Sequence, residues 1–407
     1  MDRRSFLHLN AGLIAAPFTC RAASKKRIAA VVTMYTDDRR LKSHAAVIVG
    51  RMLNGYQPNG VRQEPRTTIV SMYTAQVPPN DLSRGLAAEH GFKIFPTVNG
   101  ALTLGGDALA VDGVLFVGEH GDYPTNDVGQ KLYPRFELFQ QIVDVFRRSK
   151  RVVPVFSDKH LSYSWENAHT MYEESRKMRF PLMAGSSMPL TIREPDLELP
   201  LDAPLDRALS VGYGDIDAYG FHTLEVLQCM VERRRGAEKG ISAVQFLEGE
   251  AVWKWRDSEE GSWSAPLLKA ALARSKDVKP GLPEQNTKRP VAFLLEYADG
   301  FRTASYMLDG HVRNFLFAAK LKDRPEPVST HFGPLDNRRP LVHFDGLVHC
   351  IEEMFVTGKP LYPVERTLLT GGALSFLFES RRRKSRVETP ELKIRYRAPE
   401  HAYFQKA

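Results

Sequence analysis

Residues 152–163 have the sequence Val152-Val153-Pro154-Val155-Phe156-Ser157-Asp158-Lys159-His160-Leu161-Ser162-Tyr163, and this stretch decides the fold. A short apolar run that ends in a polar turn is typical of a strand buried on both faces, which implies a parallel sheet between two layers of helices. Ligands of such sheets bind beyond the carboxyl ends of the strands. Asp158, Lys159 and His160 are therefore predicted to contribute to an active site. The alternative is that Lys159 is a solvated loop lysine and that Asp158 caps the following helix.

A second polar turn supports this prediction. Gly118-Glu119-His120-Gly121-Asp122-Tyr123 follows the apolar strand predicted at residues 113–117. Two polar strand ends at the same edge of one sheet favour a pocket more strongly than either does alone.

Strands and helices alternate between residues 27 and 184. Strands are predicted at 28–33, 68–72, 93–95, 113–117, 152–156 and 182–184, and helices at 44–54, 81–89, 98–104, 132–147 and 164–177. Ser43 is the predicted N-cap of the first helix, and Gly55 ends it. This alternation predicts right-handed crossovers and a Rossmann-like, doubly wound parallel sheet in residues 25–187.

The pattern changes after residue 187. Residues 188–209 are rich in proline and acidic residues, which is typical of a crossing between domains. A helix at 221–234 precedes period-two alternation at 243–255, 291–297, 302–308 and 313–321, which predicts a mostly antiparallel open sheet. Two helices, 343–355 and 364–380, and a strand at 392–396 follow. The predicted fold class is α/β plus α+β, with residues 188–407 as the substrate and oligomerisation domain and the last helices packing back on the first domain.

Composition excludes several classes of protein. A chain of 407 residues that is 43% hydrophobic is neither disordered nor fibrous. The net charge of +8 is concentrated in short runs that are typical of solvated helix ends, such as residues 233–235 and 381–384. Because no zinc-finger, RNA-binding or helix-turn-helix signature is present, no nucleic-acid partner is predicted. Cys20, Cys229 and Cys350 are too few for a disulfide framework.

Residues 1–24 predict a twin-arginine export signal. Arg3-Arg4-Ser5-Phe6-Leu7 precedes a weakly apolar run at 11–18 and small residues at Ala22-Ala23. The apolar run is too short to span a membrane as a mature helix. The prediction is an exported, periplasmic protein without stable membrane insertion, and it leaves open whether Cys20 is lipidated or removed. The alternative is an amphipathic N-terminal helix of a cytosolic protein.

Two motifs carry a resemblance to a known family. Asp158-Lys159-His160 follows a strand of the first domain, and Gly220-Phe221-His222 opens the first helix of the second. This arrangement resembles the Gfo/Idh/MocA family of glucose-fructose oxidoreductases and inositol dehydrogenases, which has a Glu-Lys-Pro turn and a Gly-x-His motif at these places. Segments at 86–95, 111–114 and 358–365 also look like family segments, so the likeness covers most of the mature chain.

The resemblance implies an NAD- or NADP-dependent oxidoreductase that acts on a sugar or polyol. In that role His222 would transfer the hydroxyl proton and Lys159, with a pKa lowered by its apolar surroundings, would polarise the oxygen. Asp158 and His160 would complete the catalytic group. The same resemblance places five residues against the dinucleotide, namely Tyr35, Thr36, His44, Glu119 and His120. It also implies a homo-oligomer that associates through the exposed face of the antiparallel sheet.

The nucleotide fingerprint departs from the family pattern. Residues 34–44 contain no glycine where a Gly-x-Gly-x-x-Gly turn would let the backbone approach a pyrophosphate. The positively charged side chains of Arg39, Arg40 and Lys42 would bind phosphates instead. The second strand ends in Tyr73-Thr74, where an acidic side chain would hold the ribose. The sequence therefore predicts a divergent member of the family.

Two other hypotheses remain open. Glu119, His120, Asp122, His160 and His222 are ligand types for a divalent metal, which would stabilise an enolate or alkoxide during sugar elimination or isomerisation. The other hypothesis is a non-catalytic carbohydrate-binding protein on an inherited enzyme fold. Its sugar-stacking residues would be Tyr35, Tyr123, Tyr163 and Trp165.

Overall fold

The computed structural model describes residues 24–37, 42–333 and 341–401. Its N-terminal part contains a six-stranded parallel sheet with the order β3-β2-β1-β4-β5-β6. The strands are β1 (Lys26–Val32), β2 (Thr67–Thr74), β3 (Lys93–Ile94), β4 (Gly113–Val117), β5 (Val155–Asp158) and β6 (Leu182–Gly185). This is the doubly wound order, in which the chain reverses direction across the sheet between β1 and β4 and opens a crevice at their carboxyl ends.

Helices from the same part of the chain pack on the two faces of this sheet. They are α1 (His44–Asn54), α2 (Ser83–His90), α3 (Val98–Thr103), α4 (Arg135–Ser149) and α5 (Trp165–Met178). The predicted bounds of α1 are confirmed: the Ser43 hydroxyl caps it by accepting from the Ala46 N–H, and Gly55 ends it at φ 81°. The Rossmann-like prediction is therefore confirmed.

Strand β5 begins and ends later than predicted. Pro154 has no N–H for the ladder, so the strand starts after it, and it continues through Asp158, which pairs with Gly185 of β6. The next helix is capped by Ser164, so the alternative that Asp158 caps it is wrong. Asp158 lies inside the sheet, and Lys159 begins the turn.

The C-terminal part contains a mixed, mostly antiparallel sheet with the order β14-β9-β10-β11-β8-β12-β13-β7. Its strands are β7 (Arg193–Glu194), β8 (Leu205–Gly212), β9 (Ile241–Glu248), β10 (Val291–Tyr297), β11 (Arg302–Met307), β12 (Phe315–Leu321), β13 (Val328–Phe332) and β14 (Val387–Glu388). The interpretation of residues 188–209 as a crossing is wrong in part. Strand β8 lies in the middle of the sheet, where it pairs parallel to β11 and antiparallel to β12.

The alternating segment predicted at 243–255 is two elements. Strand β9 ends at Glu248, and helix α7 (Glu250–Arg256) turns back across the sheet together with helix α8 (Ser264–Leu272). Leu267 and Leu268 of α8 pack on one face of the sheet against Leu209 and Leu316. This face, predicted to be exposed for oligomerisation, is covered there by the chain itself. Association into a homo-oligomer stays a prediction.

The remaining helices belong to the C-terminal part of the chain. They are α6 (Ala218–Val231), α9 (Pro283–Asn286), α10 (His343–Thr357) and α11 (Val364–Arg383). Helix α10 packs on α1, and α11 packs on α5, α6 and β9. The strand predicted at 392–396 is wrong: residues 390–392 form a 3-10 turn, and Tyr396 makes only an isolated bridge with Glu238. Within the described ranges, no helix is long and apolar enough to cross a membrane.

Candidate active site

A cavity of about 620 Å³, which we call the first cavity, lies where the carboxyl ends of β4 and β5 face the start of α6. Side chains of both parts of the chain line it. The titratable ones include His44, Glu119, His120, Arg135, Lys159, His160, Asp217, His222 and His343. The predicted pair Lys159 and His222 thus faces one cavity, and their catalytic roles stay predictions.

Lys159 is held in a buried ion-pair network. Its Nζ donates to Glu119 Oε1 at 2.9 Å, and Arg135 Nη2 donates to the other carboxylate oxygen. Burial alone would raise the pKa of Glu119, but the charges of Lys159 and Arg135 outweigh it and hold that pKa well below its usual value. Glu119 is therefore an anion that fixes two cations at the cavity wall.

The turns that present these groups have unusual backbone geometry. Lys159 has φ 60° and His120 has φ 69°, in the left-handed region that residues other than glycine seldom adopt. The backbone N–H of Lys159 donates to Gly185 O at 3.1 Å, which fixes the first of these turns to β6. Such local strain concentrates at functional sites, where the surrounding structure holds it in place.

His160 contacts the Arg135 end of this network. Its Nε2 is 3.3 Å from Arg135 Nη1, and its ring contacts the ring of Phe221. Burial, and next the charge of Arg135, holds the pKa of His160 well below its usual value. His160 is thus a neutral imidazole that orients Arg135.

Asp158 is linked to the cavity by a hydrogen bond with His44, which lines it. His44 Nδ1 is 2.7 Å from Asp158 Oδ2, and the backbone N–H of His44 donates to His120 Nδ1 at 3.3 Å. The Asp158 side chain is fully buried and does not line the first cavity, and its partner is His44; its catalytic role stays a prediction. Burial lowers the pKa of His120 to about 4.

His222 lies in the first turns of α6, opposite Lys159. It is 9% exposed, and its ring contacts the rings of Tyr219 and Phe315. Burial, and next the nearby Lys159 charge, holds the pKa of His222 well below its usual value. Its Nδ1 has no hydrogen-bond partner among the described residues. A neutral imidazole that lines a cavity can accept a proton from a bound molecule.

Sequence reasoning missed Asp217 and Arg135. Asp217 precedes α6, its Oδ2 accepts from the Lys131 N–H at 2.9 Å, and its Oδ1 has no partner in the described ranges. Burial raises the pKa of Asp217 to about 6. The acidic residue just before the Gly-Phe-His helix was a usable signal for Asp217. Arg135 gave none, because an arginine at a helix start is ordinarily solvated.

The aromatic wall is built from residues other than those predicted. Tyr213, Tyr219 and Phe315 line the first cavity, with the rings of Tyr219 and Phe315 stacked at 5.9 Å. Of the predicted sugar-stacking residues, none lines it. Tyr35 is buried against a separate cavity beside α1, Tyr163 and Trp165 lie beside α11, and Tyr123 packs on the ring of Tyr133.

The described residues of the first βα turn, 33–37 and 42–44, do not fit the expected dinucleotide cradle. Pyrophosphate binding at this place needs free N–H groups at the start of α1 and glycines that allow close approach. Here the Ser43 hydroxyl takes the Ala46 N–H, His120 takes the His44 N–H, and Tyr35 and Thr36 are buried. Thr36 lies outside the first cavity, and its backbone N–H donates a hydrogen bond to the Ser43 hydroxyl oxygen. Arg39 and Arg40 lie outside the described residues.

The metal hypothesis is not supported. In the ranges 24–37, 42–333 and 341–401, no group of three or more His, Cys, Asp or Glu side chains is arranged to hold a metal ion. The physical reason is that Glu119 already neutralises Lys159 and Arg135, and Asp122 is an exposed side chain away from the cavity wall.

No protein-family model matches the sequence, and no curated protein matches it. Solved structures do match. GenD2 from gentamicin A biosynthesis, in complex with NAD, gives a TM-score of 0.55 at 13% identity over 90% of this chain and 97% of that chain. The scyllo-inositol dehydrogenase of Lactobacillus casei gives 0.53 at 11% identity, over 89% and 98%. The myo-inositol 2-dehydrogenase of Lactobacillus plantarum gives 0.53 at 10% identity, over 90% and 99%.

The chain has the Gfo/Idh/MocA fold. The resemblance based on residues 158–160 and 220–222 is thereby confirmed at the level of architecture. Lys159 and His222, which carried the resemblance, line one cavity, and the described residues of the first βα turn include no glycine.

Proposed function

We propose that the chain is an enzyme that moves a proton at a carbon next to the carbonyl of a sugar, as isomerases and lyases do. The observation that carries the proposal is the first cavity, in which neutral His222 faces the buried Lys159–Glu119–Arg135 network. A carbohydrate also fits the mixture of polar groups with the aromatic wall of Tyr213 and Tyr219.

Each group has one role in this chemistry. His222 accepts the proton from the carbon beside the carbonyl, because its lowered pKa keeps the imidazole neutral at pH 7. Negative charge then develops on the carbonyl oxygen, and Lys159 stabilises it from a position fixed by Glu119. Transfer of the hydroxyl proton on the deprotonated carbon to the former carbonyl oxygen, with return of the proton from His222 to the former carbonyl carbon, completes an isomerisation. Loss of a hydroxyl group that Asp217 protonates completes an elimination instead.

Hydride transfer with NAD or NADP is the second candidate function. It is favoured by the fold likeness to GenD2, which is in complex with NAD, and to a scyllo-inositol dehydrogenase with bound NAD(H) and scyllo-inositol. We rank it second because Ser43 and His120 already take N–H groups at the start of α1.

Deuterium exchange separates the two candidates. The purified chain is incubated in D2O with a panel of aldoses and ketoses, without nucleotide, and C–H exchange is followed by NMR. The proposal predicts exchange that falls about 100- to 10,000-fold in His222→Gln and in Lys159→Met. His169→Gln is the matched control, because His169 is a half-exposed histidine on α5. Turnover that requires added NAD or NADP, seen as absorbance of the reduced nucleotide, would establish the second candidate.

Export through the twin-arginine pathway is also a proposal. It rests on residues 3–7, which lie outside the described residues, and on strand β1 beginning at Lys26, directly after the predicted signal. Replacing Arg3-Arg4 by two lysines should retain a fused reporter in the cytoplasm. Unchanged export of that variant would contradict it.

A further inference from the structure

A second cavity of about 720 Å³ adjoins the first one. Gly129 and Asp215 belong to the walls of both, so the two cavities are neighbours. The second cavity extends over the ends of β9 and β10 and the loop before β10. Nothing in the proposed reaction uses it.

The boundary between the cavities is a fixed loop, residues 125–131. Thr125 and Lys131 bridge its ends, and the Lys131 N–H donates to Asp217 on the side of the first cavity. On the side of the second cavity, Arg381 Nη1 donates to Val128 O at 3.1 Å. Because this loop is tied from both sides, the wall that the two cavities share is held in place.

The second cavity offers unused hydrogen-bond donors. Four basic and three acidic side chains line it. The acids are engaged by the chain itself: Asp215 accepts from two N–H groups at the start of α6, Asp309 accepts from Gly214, and Glu248 pairs with Arg381. The three remaining basic side chains make no ion pair or side-chain hydrogen bond within the described ranges. They are Lys279, Lys288 and Arg289.

We propose that the second cavity binds an anionic sugar unit joined to the sugar that reacts in the first cavity. The substrate class is then an acidic disaccharide or longer saccharide, whose second unit carries a carboxylate or a sulfate group. Ammonium and guanidinium donors are the usual partners of both groups. This inference rests on the proposed function for the site of reaction, but it is tested separately by binding.

The test is isothermal titration of the full chain at low salt with three matched sugars. Cellobiose, cellobiouronate and cellobiose 6′-sulfate share one backbone, and the corresponding galacto series covers the other common configuration. We expect at least one charged sugar to bind about tenfold more tightly than its neutral partner, and added salt to reduce the difference. Tighter binding of the uronate or of the sulfate identifies the anion.

Substitutions in the second cavity test whether it causes the preference for charged sugars. Lys288→Ala with Arg289→Ala should remove most of the preference, a loss of about tenfold for the charged sugar, and leave the neutral sugar unchanged. Both side chains are exposed, so the fold should tolerate the change. Lys359→Ala, in an exposed turn after α10, is the control. Equal affinity for charged and neutral sugars, no binding of any charged sugar, or the same loss in the control would overturn the inference.

The outcome is distinguishable from failure of the proposed reaction. Deuterium exchange into monosaccharides should be unaffected by the Lys288/Arg289 double substitution, because it depends on His222 in the first cavity. Normal exchange without a charge preference overturns only this inference. A charge preference without exchange overturns only the proposed reaction.

Discussion

Glu119→Gln is the most informative single substitution in this chain. The carboxylate of Glu119 is paired with both Lys159 and Arg135, and the side chains of all three are at most 4% exposed. Glutamine keeps the shape but removes the charge. Two buried cations then face a neutral amide, and neither has an alternative carboxylate in the network.

The expected cost is large because the partners are buried. Removing one member of a buried ion pair destabilises a protein by about 3–5 kcal/mol, since the remaining charge is left uncompensated. Glu64→Gln is the control. It breaks the Arg62–Glu64 pair, whose side chains are 54% and 74% exposed, and such exposed pairs contribute at most about 1 kcal/mol.

Urea denaturation of both variants at pH 7 measures these free energies of unfolding. The cost of Glu119→Gln should also depend on pH. The pKa of Glu119 is lowered in the folded state, so its stabilisation is present above the unfolded value of 4.5 and is lost as the pH falls further. Adding Lys159→Met to the variant should restore part of the stability. A cost below about 1 kcal/mol at pH 7, or no pH dependence, would refute the buried network.

Three further predictions concern stability, each measured by urea denaturation. Burial raises the pKa of Glu225 to about 7, so the stabilisation by its protonated form is lost as the pH rises from 4.5 through 7. Glu225→Gln should remove this pH-dependent loss, which amounts to roughly 2–4 kcal/mol in the free energy of unfolding. Arg366→Met should cost about 3–5 kcal/mol, because it leaves Glu232 buried without its cation; a cost near zero would contradict this. Gly240→Ala should destabilise by more than about 1 kcal/mol, because φ is 99° and the added Cβ would lie 2.2 Å from Leu392 O; Gly85→Ala, within α2 and with no atom within 4 Å, should stabilise slightly.

The local elements of the first sheet were predictable because their signals are local. Helix α1 has its cap, its apolar face and its terminal glycine within thirteen consecutive residues, 43–55, and its bounds were predicted without error. Strand β8 was not, because Asp206, Arg207 and Gly212 interrupt its apolar pattern. Its place in the sheet is fixed by partners about one hundred residues away, β11 and β12.

The candidate site was likewise predictable only where the signal lies in residues close together in the sequence. Lys159 and Glu119 were predicted because parallel strands end at one edge, and His222 was predicted from the resemblance of Gly220-Phe221-His222 to a family motif; all three line the first cavity. Their pairing was not found: the Lys159–Glu119 bond joins residues 40 positions apart, and no periodicity encodes it. Arg135 and the aromatic wall of Tyr219 and Phe315 were missed for that reason.

The sequence by itself determined the alternation of strands and helices, the polar turns after β4 and β5 and the loss of the glycine-rich turn, because each depends on residues close together in the chain. Only the tertiary structure decided which charges neutralise one another, which side chains enclose the two cavities, and that α7 and α8 cover the second sheet. Those facts depend on distances between segments remote in sequence, and such distances are set by packing of the whole core.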